Sequence, residues 1–252
     1  LSTEIIPSKF ESAQQPEKNT IQLCFRGLNS INWLELSWQA DCARILRIER
    51  PERIGTSSTL AQQLNFGLKY MALVSIKQEK FERVIQLGFS KKPGDEITKY
   101  IILELMGKHS NFFYLDKSFK IIAAGKQIKA TQSSFRTIAT GSIYSEPPNN
   151  IKREPSLEES FEEWKKNISL IPQSLRNCLI TNYQGVSPIL INQIEHFSNL
   201  NSLSVMNKSI ETIEDKDLNQ IFKIWKLWIN KFNCNDFNYT SFASCFYCVW
   251  YP

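Results

Sequence analysis

The sequence lacks most of the residues and motifs on which enzyme active sites depend. It has only two histidines, His109 and His196, and neither lies at metal-ligand spacing from another strong ligand. A histidine-based triad or a histidine-rich metal site is therefore not indicated. The patterns G-x-x-x-x-G-K-[ST], G-x-G-x-x-G and G-x-S-x-G are also missing. No pair of carboxylates stands out for general acid–base catalysis, so we expect neither a catalytic residue nor a cofactor.

Long apolar runs and a disulfide framework are missing as well. No stretch approaches the roughly 18 consecutive apolar residues that a membrane-spanning helix needs, so we expect no membrane contact. Most of the six cysteines lie in apolar runs, which is typical of buried thiols in a reducing cytoplasm. A zinc site at Cys245-x-x-Cys248, with Cys234 as third ligand, is the alternative, although no second pair or histidine follows.

Basic charge is concentrated in the first part of the chain. Residues 1–155 contain 22 Lys and Arg against 15 Asp and Glu, whereas residues 156–252 contain 8 against 10. Arginine recurs at every third position from Arg44 to Arg53. A basic excess on one domain suits contact with nucleic-acid phosphates, and a merely solubilising surface is the alternative explanation.

Short apolar runs predict that residues 1–148 form a β-rich domain. Residues 20–25 and 31–38 alternate on either side of a short turn, which predicts a hairpin. Further runs predict strands at 43–48, 72–76, 82–89, 100–105, 112–115 and 120–124. Many short strands with regular turn signals indicate a sandwich or barrel-like arrangement.

Helical patterns replace the strands after a proline-rich segment. Residues 149–156 have the composition of a linker, and residues 157–232 are predicted to form a helical domain. Ser156 and Glu159 have the spacing of a capping box. The last helix is predicted at 217–232, and its aromatic stripe is typical of a core face. Strand-like spacing at 233–252 predicts that this end pairs back onto the first domain.

Two helices within the second domain are predicted to meet at a glycine turn. Residues 173–183 are apolar-periodic, and Ser187-Pro188 has the pattern of an N-cap followed by a first helical residue. This is a helix-hairpin-helix pattern, in which backbone N–H groups at Gly185, Val186 and Ser187 are candidates for phosphate contact. An ordinary helical corner explains the pattern equally well.

The densest polar segment of the first domain lies between two apolar strands. Glu104 ends an apolar run, Gly107 permits a positive φ, and Lys108 to Asn111 place four hydrogen-bonding side chains in succession. Such a loop can bind sugar hydroxyls and phosphates, or its polar groups can satisfy one another. A pairing of buried Glu104 with Arg83 on a facing strand is expected.

This segment also resembles the signature of a known family. Residues 102–116 closely resemble the E-[IL]-M-G-[RK]-x-S-N element of the NFACT family, first described as fibronectin-binding-protein-A-like. Five further elements match in the family's order: Gln15-Pro16, Ala43-Arg44, Lys80-Phe81-Glu82-Arg83-Val84-Ile85, Phe135-Arg136-Thr137 with Gly141, Tyr144 and Pro147-Pro148, and Asn182-Tyr183-Gln184-Gly185-Val186-Ser187-Pro188. Six elements in order are far more specific than any one of them.

The resemblance implies an α+β fold and a function on RNA. The first domain would be similar to the N-terminal β-sandwich of formamidopyrimidine-DNA glycosylases, and a helix-hairpin-helix domain would follow. Family members bind large ribosomal subunits obstructed by peptidyl-tRNA. They recruit charged tRNA, alanyl-tRNA in bacteria, and support untemplated C-terminal tailing of the stalled chain in the cytoplasm.

The resemblance also implies which residues contact tRNA. The family's Asp-Arg pair falls on Glu82-Arg83, and its Glu-Ile-Met element falls on Glu104-Leu105-Met106, followed here by Lys108, His109, Ser110 and Asn111. Arg44 and Arg136 are further candidates for phosphate contact. The exchange of Asp for Glu keeps the charge but shifts the carboxylate by about 1.5 Å, which changes the position at which it can accept a hydrogen bond.

Two other functions are alternatives to a function on RNA. The glycosylase-like fold suggests a DNA-lesion enzyme as an alternative, although the nucleophilic N-terminal proline of those enzymes has no counterpart, since Pro7 is internal. A fibronectin-binding adhesin is the third hypothesis.

Family members continue into a coiled coil and a second RNA-binding domain, so we expect an N-terminal fragment. A few native residues are also expected to precede Leu1, which is not an initiator methionine.

Overall fold

A computed structural model of the chain forms two compact units, residues 1–148 and 149–252. It describes residues 2–55, 58–79, 81–128, 131, 136–147, 152–198, 205–234, 240–242 and 246–248. The first unit is dominated by a sheet and the second by helices, so the α+β class predicted from the sequence is confirmed.

One antiparallel sheet of nine strands organises the first unit. Its spatial order is β4-β3-β2-β1-β5-β6-β7-β8-β9. The short helix α1 (Ser2–Ile5) precedes the sheet, and α2 (Thr59–Gly67), capped by Ser58, lies between β4 and β5 in the chain. The strands are β1 (Ser8–Glu17), β2 (Thr20–Arg26), β3 (Ile31–Ser37), β4 (Arg44–Ile48), β5 (Ala72–Gln78), β6 (Val84–Ser90), β7 (Lys99–Glu104), β8 (Asn111–Asp116) and β9 (Ile121–Ala124). The predicted β2–β3 hairpin is confirmed, with Thr20 opposite Ser37.

Both faces of the sheet are covered at β7 and β8. Ile101 and Leu103 join the main core with Phe112 and Tyr114, whereas Ile102 packs in a smaller cluster on the other face. That cluster also contains Phe113, Leu115, Ile121, Ile138 and Tyr144. Because successive side chains alternate between faces, a strand buried on both sides reads as a continuous apolar run.

Gly125 follows β9 and allows a close approach of the backbone to a tryptophan. A Cβ atom at this position would lie 2.5 Å from Nε1 and 2.6 Å from Cε2 of Trp38. Trp38 is fully buried and its ring centroid lies 5.2 Å from that of Phe112. The backbone is also fixed, because the Gly125 N–H donates to the Phe112 carbonyl at 2.8 Å.

We expect Gly125→Ala to lower the free energy of unfolding by about 1–3 kcal/mol, because the added methyl group overpacks the core against Trp38. Urea denaturation followed by far-ultraviolet circular dichroism measures the change. Gly55→Ala is the matched control, since a Cβ there would meet nothing within 4 Å. Equal stabilities of the two variants would contradict the close packing.

The second unit contains the helices α3 (Phe161–Ile168), α4 (Leu175–Asn182), α5 (Pro188–Phe197) and α6 (Asp215–Cys234). The side chains of Ser160, Ser174 and Ser187 cap the first three of them. The capping box predicted at Ser156 and Glu159 is wrong: it is formed by Ser160 and Glu163, one turn later. Ser156 instead accepts a hydrogen bond from the Glu158 N–H. The predicted start of α5 is confirmed, with Ser187 as N-cap and Pro188 as the first helical residue.

The aromatic stripe of α6 is a core face, as predicted. Trp225 is fully buried and its ring lies 4.9 Å from that of Tyr183 and 6.5 Å from that of Trp164. Beyond α6, β10 (Thr240–Phe242) and β11 (Phe246–Cys248) pair with each other. The pairing of residues 233–252 with the first domain stays a prediction.

Candidate nucleic-acid interface

Glu104 is a buried carboxylate that joins two distant parts of the first unit. It ends β7, opposite Val84 of β6 and Asn111 of β8, and is only 2 % exposed. Its oxygens lie 2.8 and 3.1 Å from the guanidinium nitrogens of Arg136. The Tyr144 hydroxyl donates to the same carboxylate at 2.9 Å. The predicted pair with Arg83 is therefore wrong.

Aromatic rings complete the enclosure of this ion pair. The Arg136 guanidinium lies 5.4 Å from the ring centroid of Phe113 and 5.0 Å from that of Tyr144. Burial and the adjacent Glu104 carboxylate raise the pKa of Tyr144 well above its ordinary value. The phenol thus stays protonated and keeps donating its hydrogen bond. Glu104, Arg136 and Tyr144, here called the anchor, bind residues 136–144 to β7 and β8.

Ser110 and Asn111 support the loop that follows β7. Ser110 is fully buried, and its hydroxyl accepts a hydrogen bond from the Met106 N–H at 2.8 Å. Asn111 Oδ1 accepts from the N–H groups of Phe112 and Lys126, and its Nδ2 donates to the Lys126 carbonyl. Gly107 has φ +57°, a conformation that a glycine adopts without strain. The Ser110 hydroxyl therefore closes the loop of residues 106–110, and the Asn111 side chain joins the start of β8 to the backbone of Lys126.

We expect Asn111→Ala to lower the free energy of unfolding by about 2–3 kcal/mol, because it removes the side-chain partner of the buried Phe112 N–H and of the partly buried N–H and carbonyl of Lys126. Thermal and urea denaturation measure the change. Asn29→Ala deletes the same side chain in the exposed turn between β2 and β3, so it is the matched control. Equal losses of stability in the two variants would show that the hydrogen bonds of Asn111 to Phe112 and Lys126 do not stabilise the fold.

Three cationic or polar side chains lie exposed at this end of the sheet. Lys108 and His109 lie in a short 3₁₀ helix (Gly107–His109) with both side chains exposed. Arg83, also exposed, immediately precedes β6, and its carbonyl accepts from the Leu105 N–H at 2.8 Å. Arg83, Lys108 and His109 therefore share one edge, here called the cationic edge. Such donors can contact phosphate and sugar oxygens.

The remaining candidates from the sequence lie elsewhere or are half-buried. Leu105, Met106 and Glu82 are half-buried next to the cationic edge. Arg44 is paired with Glu35 at 2.6 Å, on β4 and β3. In the second unit, Gly185 has φ +72° in the turn between α4 and α5, where Val186 is buried and Ser187 caps α5. Lys80, Phe135, Pro148, residues 149–151 and Cys245 lie outside the described residues.

Sequence reasoning missed the partner of Glu104 and the support from Lys126. Tyr144 is eight residues after Arg136 within one family element, which was the available signal. The contact with Lys126 had no sequence signal, because every residue other than proline has the same backbone N–H and carbonyl groups. Among the described residues, no three His, Cys, Asp or Glu side chains are grouped to hold a metal ion. No helix in the described part of the chain has the length and apolarity needed to cross a membrane.

The family profile described as "NFACT N-terminal and middle domains" matches residues 1–251. The chain belongs to the NFACT family. Among curated proteins, the Rqc2 homolog RqcH of Streptococcus pneumoniae is 28% identical over 201 residues, which cover 77% of this chain and 36% of that protein. This NFACT chain thus spans about a third of the length of the curated relatives it matches.

Two solved structures show a similar fold. The fibrinogen-binding protein from Staphylococcus aureus has a TM-score of 0.72 at 20% identity, covering 98% of this chain and 84% of that one. The N-terminal domain of the fibronectin-binding protein PavA from Streptococcus pneumoniae has a TM-score of 0.64 at 26% identity, covering 78% of this chain and 74% of that one. The arrangement of strands and helices is therefore common to proteins of quite different sequence.

Proposed function

We propose that this NFACT chain is the RNA-binding part of a cytoplasmic ribosome quality-control factor. It engages large ribosomal subunits obstructed by peptidyl-tRNA and holds tRNA, alanyl-tRNA by analogy with the family, for C-terminal tailing of the stalled chain. The observation that carries this proposal is the cationic edge, in which Arg83 and Lys108 are exposed. The loop that contains Lys108 is closed by the hydrogen bond from the Met106 N–H to the buried Ser110 hydroxyl. Its relatives named RqcH support the same proposal.

The role proposed is to position RNA rather than to catalyse a reaction. The ribosome would supply peptidyl transfer, and the chain would need no cofactor of its own. Pre-organisation suits this role, because a loop that is already ordered loses less entropy when it binds. Leu105 and Met106 offer half-buried apolar surface beside the cations, which can pack against an unpaired base. Glu82 occupies the position at which the family has Asp. The negative charge is kept, but the carboxylate lies about 1.5 Å further from the backbone, so we expect tailing to be more sensitive to this exchange than RNA binding.

We further propose that the two units correspond to the domains implied by the family. The sheet would be the glycosylase-like β-sandwich domain of residues 1–148. Residues 157–232, after a linker at 149–156, would contain the helix-hairpin-helix motif formed by α4 and α5. The turn at Gly185, Val186 and Ser187 would then contact phosphate through backbone N–H groups. The positive φ of Gly185, in the turn that leads into α5, supports this proposal.

Sedimentation of the full-length protein tests the proposed function. The protein is mixed with purified ribosomes, with free large subunits and with large subunits that carry peptidyl-tRNA, and the gradient fractions are analysed. We expect co-sedimentation with the obstructed large subunit, and sequencing of the bound RNA should recover tRNA. A protein that stays at the top of every gradient would contradict the proposal.

Binding of a matrix protein is a second candidate function. The observation in its favour is that similar structures belong to proteins named for fibrinogen and fibronectin binding. Surface plasmon resonance with immobilised fibronectin and fibrinogen tests it. Saturable binding that survives excess tRNA would favour this candidate, whereas binding abolished by tRNA would reflect the basic surface alone.

A further inference from the structure

A groove lies over strands β1 to β4, apart from the cationic edge on β6 to β8. Residues that pair across these strands form its floor: Ser12 is opposite Cys24, Cys24 is opposite Trp33, and Trp33 is opposite Ile48. The segment that follows β4 forms one wall. The groove has a volume of about 1080 Å³, slightly above the roughly 300–1,000 Å³ typical of small-molecule sites.

Arginines dominate the charge of this groove. Arg26, Arg47, Arg50 and Arg53 line it, against the acidic side chains of Glu11 and Glu49. Two of the arginines are already paired: Arg26 lies 3.0 Å from Glu11, and Arg47 lies 3.1 Å from Glu4. Arg50 and Arg53 are exposed and have no ion pair with any side chain that the structure describes. These two guanidinium groups are available to an anion.

The wall that carries the free arginines is fixed to the sheet. Gln14, which is buried, donates from Nε2 to the Glu52 carbonyl at 2.9 Å and accepts from the Ile54 N–H at 3.4 Å. The same Nε2 also donates to Gln22 on the neighbouring strand at 2.8 Å. Residues 52–54 therefore follow the sheet instead of moving freely. Arg53 lies between the two tethered residues, and Arg50 lies just before them.

The floor contains an indole ring and a neutral thiol. Trp33 lines the groove, and its buried Nε1 has no hydrogen-bond partner within the described residues. Burial and the nearby Glu11 carboxylate raise the pKa of the Cys24 thiol, outweighing the opposing effect of Arg26. The thiol therefore stays protonated at neutral pH and adds no charge. An indole beside guanidinium groups on a tethered segment is a combination that suits a base and its phosphate.

We propose that this groove is a second ligand site, which binds a nucleoside phosphate with the phosphate on Arg50 and Arg53 and the base against Trp33. Arginine matches phosphate well because its planar fork donates two parallel hydrogen bonds. The ligand can be a free nucleotide or one unpaired nucleotide of an RNA strand. The proposal does not depend on the function proposed for the cationic edge.

Isothermal titration calorimetry of the 252-residue chain tests the site. The probes are the four ribonucleoside monophosphates and a single-stranded uridine hexamer. Arg50→Gln/Arg53→Gln should weaken the binding of whichever probe binds by about tenfold or more. Lys91→Gln/Lys92→Gln removes the same charge from the exposed turn after β6 and is the matched control. Arg83→Gln/Lys108→Gln should leave the affinity for a monophosphate unchanged.

The probes also distinguish the two sources of the ligand. Binding of a monophosphate would identify a site for free nucleotides, whereas binding of the hexamer alone would identify a site for an RNA strand. Quenching of tryptophan fluorescence that is lost in Trp33→Phe would place the base on Trp33. The proposal is overturned if no probe binds, or if the Arg50/Arg53 and Lys91/Lys92 variants bind equally well. Neither of these results bears on the proposal that the cationic edge binds tRNA.

Discussion

Replacing Glu104 by alanine is expected to lower the free energy of unfolding by about 3–5 kcal/mol. The substitution leaves the Arg136 guanidinium buried without its carboxylate, and an uncompensated buried charge is among the most destabilising changes in a protein. It also removes the acceptor of the Tyr144 hydroxyl. Urea denaturation measures the loss, with nuclear magnetic resonance spectra of the native state to establish that the variant is folded.

Two control variants separate the anchor from ordinary charge removal. Glu4→Ala breaks the exposed pair with Arg47, and we expect a change below about 1 kcal/mol because exposed ion pairs contribute little. Glu104→Gln keeps an acceptor for Tyr144 but loses the charge, so its loss should be intermediate. If Glu104→Ala and Glu4→Ala were equally stable, the anchor would not hold residues 136–144 in the way described.

Reversing the charges of Arg83 and Lys108 together is expected to weaken tRNA binding by about 10- to 100-fold at low salt. Each reversal removes a phosphate contact and adds repulsion, and each charge-assisted contact is worth roughly tenfold in affinity. Stability should change little, because both side chains are exposed. Filter binding or fluorescence anisotropy with labelled tRNA over a salt series measures the effect.

The salt series and one control make this result specific. The affinity of the unmodified protein should fall steeply with salt, and the slope should decrease by about one to two units in Arg83→Glu/Lys108→Glu. Lys91→Glu/Lys92→Glu places the same charges at the other end of β6, about 20 Å away at the usual strand rise. The cationic edge is not the tRNA surface if both double variants bind tRNA like the unmodified protein.

Local signals predicted the elements that depend on neighbouring residues. The β2–β3 hairpin follows from two alternating runs around one turn, and the start of α5 follows from Ser187-Pro188. The positive φ of Gly107 could also be anticipated from glycine in a strand-breaking position. The capping box failed because two serines, Ser156 and Ser160, are each followed by glutamate at the same spacing. Only the helix that forms decides between them.

The partner of Glu104 could not be predicted, because it depends on contacts far apart in the sequence. Residues 136–144 return to the sheet through backbone hydrogen bonds, such as that from the Ile121 N–H to the Ser142 carbonyl. This return brings Arg136 to a carboxylate 32 residues away. Arg83 is closer to Glu104 in the sequence and immediately precedes the neighbouring strand β6, but its side chain is exposed at the cationic edge.

The sequence alone determined the family, the α+β class and the position of the polar segment, since these follow from motif order and local periodicity. Only the tertiary structure decided what each residue of that segment does. Glu104, Ser110 and Asn111 are internal supports, whereas Lys108 and His109 remain exposed. The physical reason is that burial depends on which distant strands cover a residue, and the chain around that residue does not encode this.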